Sequence, residues 1–516
     1  LTVKSALWFC IFFCLMTAAR CHNFPQVFVR TRIYFVDADC YSRMTRVRMV
    51  LEKPGSIIRH HDFENFPYGI TPHTTAPMDY LIVALKKILD WTGACFAFVD
   101  TIDLAGALIS PLLGIAAGIF LFFWSRSLAI PHRAMLLLIY AVSPILVHGT
   151  VLGRPDHQSL LILLVAVALG SEWAMLNRPS RAWSVSCGLA WGFGLWVSLY
   201  EPLVLLAAVT LLVLVFDRRR LWSRERVVVC GCLGCILLVA LLLEGWRIVL
   251  PGGTTVKYFT NWRREIGELS MVAPLSPLLF RWLGLGLVFL PVLLFLRSRS
   301  NRRFAACLFL LLLAYGFTLY QLRWGYFFAL IFAMTLPLGM AFFRRRYVAW
   351  GLFAISLWPI LREWDETLFP SETRQGQLAE EKLDAVLLRD AAEKLRGDER
   401  RPILAPWWLS PALVYWSGQP AVGGSSHESL PGTVDTARFY LAESPAEARA
   451  ILRERGVQSV VAYDSGRVVQ TSATLLGRSA SESPLAAMLY ASPHSAPDFL
   501  KLEYANQSFK IFKVEE

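Results

Sequence analysis

Residues 202–226 read PLVLLAAVTLLVLVFDRRRLWSRER. Fifteen residues pass without a charge, and five arginines then fall within the next ten. In hydrocarbon a backbone can satisfy its polar groups only internally, so an uncharged run of this kind reads as a membrane helix. The arginines mark its cytoplasmic end. The pattern recurs along the chain. Apolar runs lie near 104–124, 133–150, 158–176, 183–199, 227–250, 276–296, 304–322, 324–343 and 347–361. RSLAIPHR (126–133), NRPSR (177–181), RSRSNRR (297–303) and RRR (344–346) fill alternate connections, in step with the opening cluster. All five therefore fall on one face. With the apolar run 6–19, about eleven spans and a cytoplasmic N-terminus are expected.

Composition agrees. Of 516 residues, 55% are hydrophobic and only 17% charged, against roughly 25% charged in soluble domains. The net charge of +12 lies largely in the inter-span clusters, which argues against nucleic acid as a partner. CGCLGC (230–235) looks like a metal motif but sits inside an apolar run, where cysteine packs as a small hydrophobe. No cysteine follows Cys307, so the C-terminal part has no disulfide framework. Residues 6–19 read either as a retained first helix or as a cleaved signal peptide, with retention favoured.

The expected fold is a polytopic α-helical membrane domain over 1–361, followed by a soluble mixed α/β domain over 362–516. The first external loop covers 20–100, and a second external loop covers 251–275. In the soluble part, 371–400 reads as a charged helix, RPILAPWW and VQSVVAY as short strands, AEARAILRERG as a helix closed by Gly456, and KLEYANQSFKIFKVE as a closing strand or hairpin.

The topology gathers unusual polar residues on the outer face. Asp37 and Asp39 lie in DADCYSRM, Asp156 and His157 in GRPDHQ, Glu201 in LYEPL, Glu265 and Glu268 in NWRREIGELSMVAP, and Arg323 in QLRWGYFF. Carboxylates converging from separate loops suit Mg²⁺ or Mn²⁺, and an arginine at the same level suits phosphate. Each also has a plainer role. A loop aspartate caps helices, a loop glutamate is solvated, and an arginine at a span end snorkels.

This arrangement resembles the catalytic subunits of bacterial and archaeal oligosaccharyltransferases, membrane glycosyltransferases of the GT-C class. DADCYSRM, DFENFPYGITPHTTAPMDYL, GRPDHQ, IGELSMVAPLS, QLRWGYFFAL and the segment from APWWLSPALVYWSGQPAVGG to TARFYLAESPAEARAIL are similar to that family's motifs, in order. The resemblance implies a metal-dependent, inverting transfer of sugar from a polyprenyl-(di)phosphate-linked donor. Asp39 would ligate the metal with help from Asp37, and Asp156 would be a further ligand. His157 would lie near the metal or diphosphate, Glu268 would complete the site with Glu265 as fallback, and Arg323 would bind the donor phosphate. The protein would lie in the inner or plasma membrane, with its active site and C-terminal domain extracytoplasmic. The acceptor would be protein, or else a lipid or cell-surface polymer.

Two departures from the pattern stand out. Where the family carries an aspartate after its paired tryptophans, this chain has Leu409 after Trp407 and Trp408. Leucine cannot accept a bond from an acceptor hydroxyl, which leaves protein recognition open. The tryptophans themselves fit either acceptor binding or interfacial packing. The span count is also below that usual in the family. A transporter is a lesser alternative, since the acids sit at span ends and not at mid-membrane.

Overall fold

The computed structural model describes residues 3–93, 100–246, 252–479 and 484–515. Residues 94–99 of the expected first loop, and Pro251 at the start of the second, lie outside the described residues. The chain forms two compact units, each assembled from separated segments. One comprises 1–33, 74–245 and 268–371; the other comprises 34–73, 246–267 and 372–516. The expected division at residue 361 thus differs from the observed units, because 34–73 and 246–267 cluster with the C-terminal part.

The first unit is helical and belongs to an integral membrane protein. Among the described residues six helices are long and apolar enough to cross a membrane, or seven if the pair Pro277–Leu283 and Gly286–Ser298, bent by 71°, counts as one span. Arg133–Val142 and Tyr200–Phe216 are shorter apolar helices. Of the eleven expected runs, two form helices of 17 residues, Arg181–Val197 and Tyr200–Phe216, and two more are broken. The run near 133–150 is split into Arg133–Val142 and Pro144–His148, and that near 347–361 into Arg346–Ser356 and Trp358–Leu368. Pro144 and Pro359 lack the amide that would carry each helix through.

Small residues set the packing. Helix Arg181–Val197 lies against Arg224–Glu244, where a Cβ on Gly188 would fall 2.5 Å from the Val229 carbonyl and one on Gly192 2.8 Å from Ile236. Such close approach supplies dispersion contact where no hydrophobic drive exists. Two buried carboxylates between helices are paired. Arg226 grips Glu172 with two parallel bonds of 2.6 and 2.5 Å. Glu244 accepts the Ala76 amide and the Trp196 indole N–H, both at 2.8 Å. It thereby caps helix Ala76–Trp91, whose own Thr75 makes no side-chain cap. Helix Gly325–Met340 is buried along its whole length.

The second unit holds a four-stranded sheet in the order Ile403–Leu404, Ser459–Ala462, Lys510–Val514, Leu500–Ala505. The first pair is parallel and the others antiparallel, so the chain ends on a hairpin. Its core includes Leu404, Val460, Phe439, Leu452 and Phe512. Helices Glu372–Leu395 and Pro445–Glu454 form as the sequence predicts, and Gly456 takes φ 60 beyond the latter. Segment 34–73 supplies helix Ala38–Glu52. Its Tyr41 stacks edge-on against Trp416, and Arg48 lies over the Tyr415 ring. These contacts make the first-loop residues part of the same core as helix Ser410–Ser417.

Candidate functional site

In the helical unit the chain reverses at 153–157, where Asp156 is the N-cap of helix His157–Asn177. Its Oδ1 accepts the His157 amide at 2.7 Å, and His157 Nδ1 lies 2.7 Å from the same oxygen. The capping role read from the sequence is therefore real and coexists with an electrostatic one. Arg154, just upstream, is 3% exposed. Its Nη2 donates to Glu268 Oε1 at 2.6 Å and lies 4.0 Å from Asp156. Its Nη1 reaches His148 Nε2 at 2.8 Å.

His148 Nδ1 meets the Tyr326 hydroxyl at 3.0 Å, and that hydroxyl donates to Glu268 Oε1 at 3.3 Å. With imidazole directions assigned from this network, the bonds close into a ring: Arg154 to His148, to Tyr326, to Glu268, and Arg154 again to Glu268. Glu268 lies on the short turn Gly267–Leu269. The segment beyond it is tied down by Leu322 N–H to the Ser270 carbonyl at 3.0 Å and by Val272 N–H to the Leu319 carbonyl at 2.9 Å. Those ties carry the loop to the turn of Arg323. Arg323 itself pairs at 2.7 Å with Glu201, a carboxylate with no exposure that also accepts the Ser198 hydroxyl at 2.7 Å.

The structure thus places Asp156, His157, Glu268 and Arg323 in the helical unit, at or beside its turns. It adds Arg154, His148 and Tyr326, which the sequence reading assigned no role, and gives Glu201 a partner. Two guanidiniums, two carboxylates and a phenol can bind phosphate and orient a nucleophile. The carboxylate oxygens suit Mg²⁺ or Mn²⁺, and Arg154 is the cation they share here.

The second unit holds Asp37 and Asp39. Asp37 caps helix Ala38–Glu52, accepting the Cys40 amide at 3.0 Å. Asp39 sits in the first turn and is exposed. Ser42, one turn further, donates at 2.7 Å to Glu64, which Ser426 also binds at 3.2 Å. Burial pushes the Glu64 carboxyl up, opposed by the Ser42 bond. Glu428 lies near His73 and His427. Burial alone would raise its carboxyl, but His73 holds it down to about 2. Glu265, the fallback for Glu268, ends helix Gly253–Glu265 in this unit.

Trp408 packs on the core and lies under Arg467, with Trp407 edge-on to it at 5.7 Å. Leu409 stands at the start of helix Ser410–Ser417, which has no side-chain cap. Cys230 and Cys235 are exposed on their helix, and no metal-capable grouping includes them among the described residues.

No family model matches the chain. A curated relative from Archaeoglobus fulgidus, named dolichyl-phosphooligosaccharide-protein glycotransferase 1, is 26% identical over 175 residues, 33% of this chain and 27% of the relative. The matched stretch therefore spans about a quarter of that relative's length. The crystal structure of the A. fulgidus oligosaccharyltransferase tethered to an acceptor peptide superposes with TM-score 0.65 at 14% identity, covering 92% of this chain and 71% of that one. ArnT from Cupriavidus metallidurans bound to undecaprenyl phosphate gives 0.55 at 12%, covering 98% and 97%. The A. fulgidus protein has also been solved with Zn and sulfate. The polytopic fold with its mixed α/β domain is thus one the chain shares with these proteins.

Proposed function

We propose that this relative of the oligosaccharyltransferase catalytic subunits, built on their GT-C membrane fold, moves a sugar or oligosaccharide from a polyprenyl-(di)phosphate-linked donor to protein. The observation that carries the reading is the closed ring of Arg154, His148, Tyr326 and Glu268 beside Arg323 and Asp156. Arg323, braced by Glu201, would hold the donor phosphate with planar, paired donors. The acceptor would attack the anomeric carbon opposite the phosphate, whose C–O bond breaks as the new bond forms, inverting that centre. The acceptor's proton would pass to a carboxylate, for which Asp156 and Asp39 are placed at helix starts. Asp39, with Asp37, is the proposed cation ligand from the first-loop segment, and Asp156 and Glu268 are those from the helical unit, with His157 alongside. Bound Mg²⁺ or Mn²⁺ would neutralise the departing diphosphate. The active site and the second unit would lie outside the inner or plasma membrane.

A lipid or cell-surface polymer is the second reading of the acceptor, favoured by Leu409. A hydroxyl buried against it would go unpaired at about 1–3 kcal/mol. Turnover in detergent or liposomes decides. Polyprenyl-diphosphate-linked glycan and Mn²⁺ are supplied with either an Asn-x-Thr peptide or a lipid and polymer fraction. A glycosylated peptide supports the first reading, transfer only to the other fraction the second, and no transfer to either overturns both.

A further inference from the structure

His73, His427 and Glu428 serve none of the roles assigned to the transfer reaction, yet their side chains converge. His73 Nδ1 lies 2.9 Å from Glu428 Oε1 and 3.1 Å from Oε2. His427 Nδ1 lies 3.3 Å from Oε2. The two imidazole rings face each other at 4.9 Å with 37° between their planes. One ligand atom from each residue falls within 4.8 Å of the other two.

A tetrahedral ion with bonds of 2.0–2.1 Å has ligand atoms about 3.3 Å apart. The imidazole–carboxylate separations lie close to that edge, so small side-chain movements would admit an ion. The donor chemistry narrows the choice. Two imidazoles and one carboxylate form the set that takes zinc with one open position, whereas Mg²⁺ and Mn²⁺ prefer oxygen alone. Both histidines are half-exposed, at 48% and 42%, so an ion and a water ligand can reach them, while Glu428 is 16% exposed.

The scaffold behind the cluster is fixed. Ser426, next to His427, is bound by buried Glu64, and Ser429 donates to the Ser426 carbonyl at 2.7 Å. The His73 amide donates to Glu428 Oε1 at 2.6 Å, which orients that carboxylate from the other side. Supports of this kind hold ligands in place before metal arrives. The simple alternative is that each imidazole only hydrogen-bonds to the carboxylate.

We propose that His73, His427 and Glu428 form a zinc-class site that ties segment 34–73 to the turn His427–Ser429 within the second unit. It uses no ligand of the oxygen-rich set proposed for the transfer reaction, and it stands or falls independently of that reading. The test is metal binding by the full chain in detergent. Protein stripped with chelator is titrated with Zn²⁺ alone by calorimetry, then with Co²⁺ by visible absorption. The wild type should bind one equivalent that Asp156→Asn retains. Affinity should fall at least about tenfold in His427→Gln and in Glu428→Gln, and the intense visible bands of four-coordinate cobalt should disappear with it. Wild type that binds no zinc, or variants that bind as tightly as wild type, overturns the site. Should a variant fail to fold, the wild-type cobalt spectrum decides. Pale, six-coordinate bands there also overturn it.

Discussion

Glu201 and Arg323 offer a direct test of how the helical unit holds its charges. Glu201 has no exposure, and its partner's side chain is 22% exposed, at 2.7 Å. Glu201→Gln keeps the shape and can still accept from Ser198, but removes the charge facing Arg323. With charge centres about 4 Å apart and an effective dielectric of 20, the attraction is about 4 kcal/mol. Partial exposure of the guanidinium brings the expected loss to about 3 kcal/mol. Arg323→Met strands the buried carboxylate and should cost at least as much. The double variant should be no less stable than Arg323→Met alone, because neither charge is then left unpaired. Thermal unfolding in detergent, followed by tryptophan fluorescence, gives the four midpoints. The expected coupling is about 3 kcal/mol. Additivity within about 0.5 kcal/mol would refute the pair as a mutual support and leave Arg323 without the brace proposed for phosphate binding.

Asp39→Ala should abolish metal-dependent turnover while the protein still folds, because Asp37 supplies the helix cap; full activity would sink its proposed role as ligand. Arg455→Met should destabilise the second unit by about 3 kcal/mol. The change removes bonds of 2.9 and 2.6 Å to Asp435 and of 3.1 Å to Asn65, and denaturant unfolding measures the loss. His61 is held down to about 3, first by burial and then by Arg46. Below pH 6.5 the unfolded chain takes up a proton that the folded one refuses, so stability falls as pH falls from 6.5 towards 3. At pH 5 the loss is about 2 kcal/mol. His61→Asn should remove that part of the slope, and an unchanged slope between pH 7 and 5 would contradict it.

The helical unit was legible because hydrocarbon imposes one rule on every span. That rule reads composition, not continuity. It therefore missed the breaks at Pro144 and Pro359, where two short helices share one apolar run. Asp156, Glu268 and Arg323 could be grouped because they lie in the connections that the basic clusters skip. Arg154 could not, since an arginine between Gly153 and Pro155 looks like any connection charge until its reach to Glu268 is seen. The second unit's assembly was hidden for a different reason. Nothing local in 34–73 states that Tyr41 will meet Trp416, hundreds of positions later. His427 and Glu428 were likewise silent without His73 beside them.

The cap on helix Ala76–Trp91 has a consequence for the order in which the protein is made. Its acceptor, Glu244, lies 168 residues downstream. At about 5–20 residues per second, a ribosome needs roughly 10–30 s to reach it. Throughout that interval the Ala76 amide lacks its final acceptor, and the Trp196 indole N–H, 48 residues before Glu244, waits for the last part of it. This part of the helical unit is therefore left unfinished until the span Arg224–Glu244 has been delivered. A nascent chain arrested before that point carries its own mark of incompleteness.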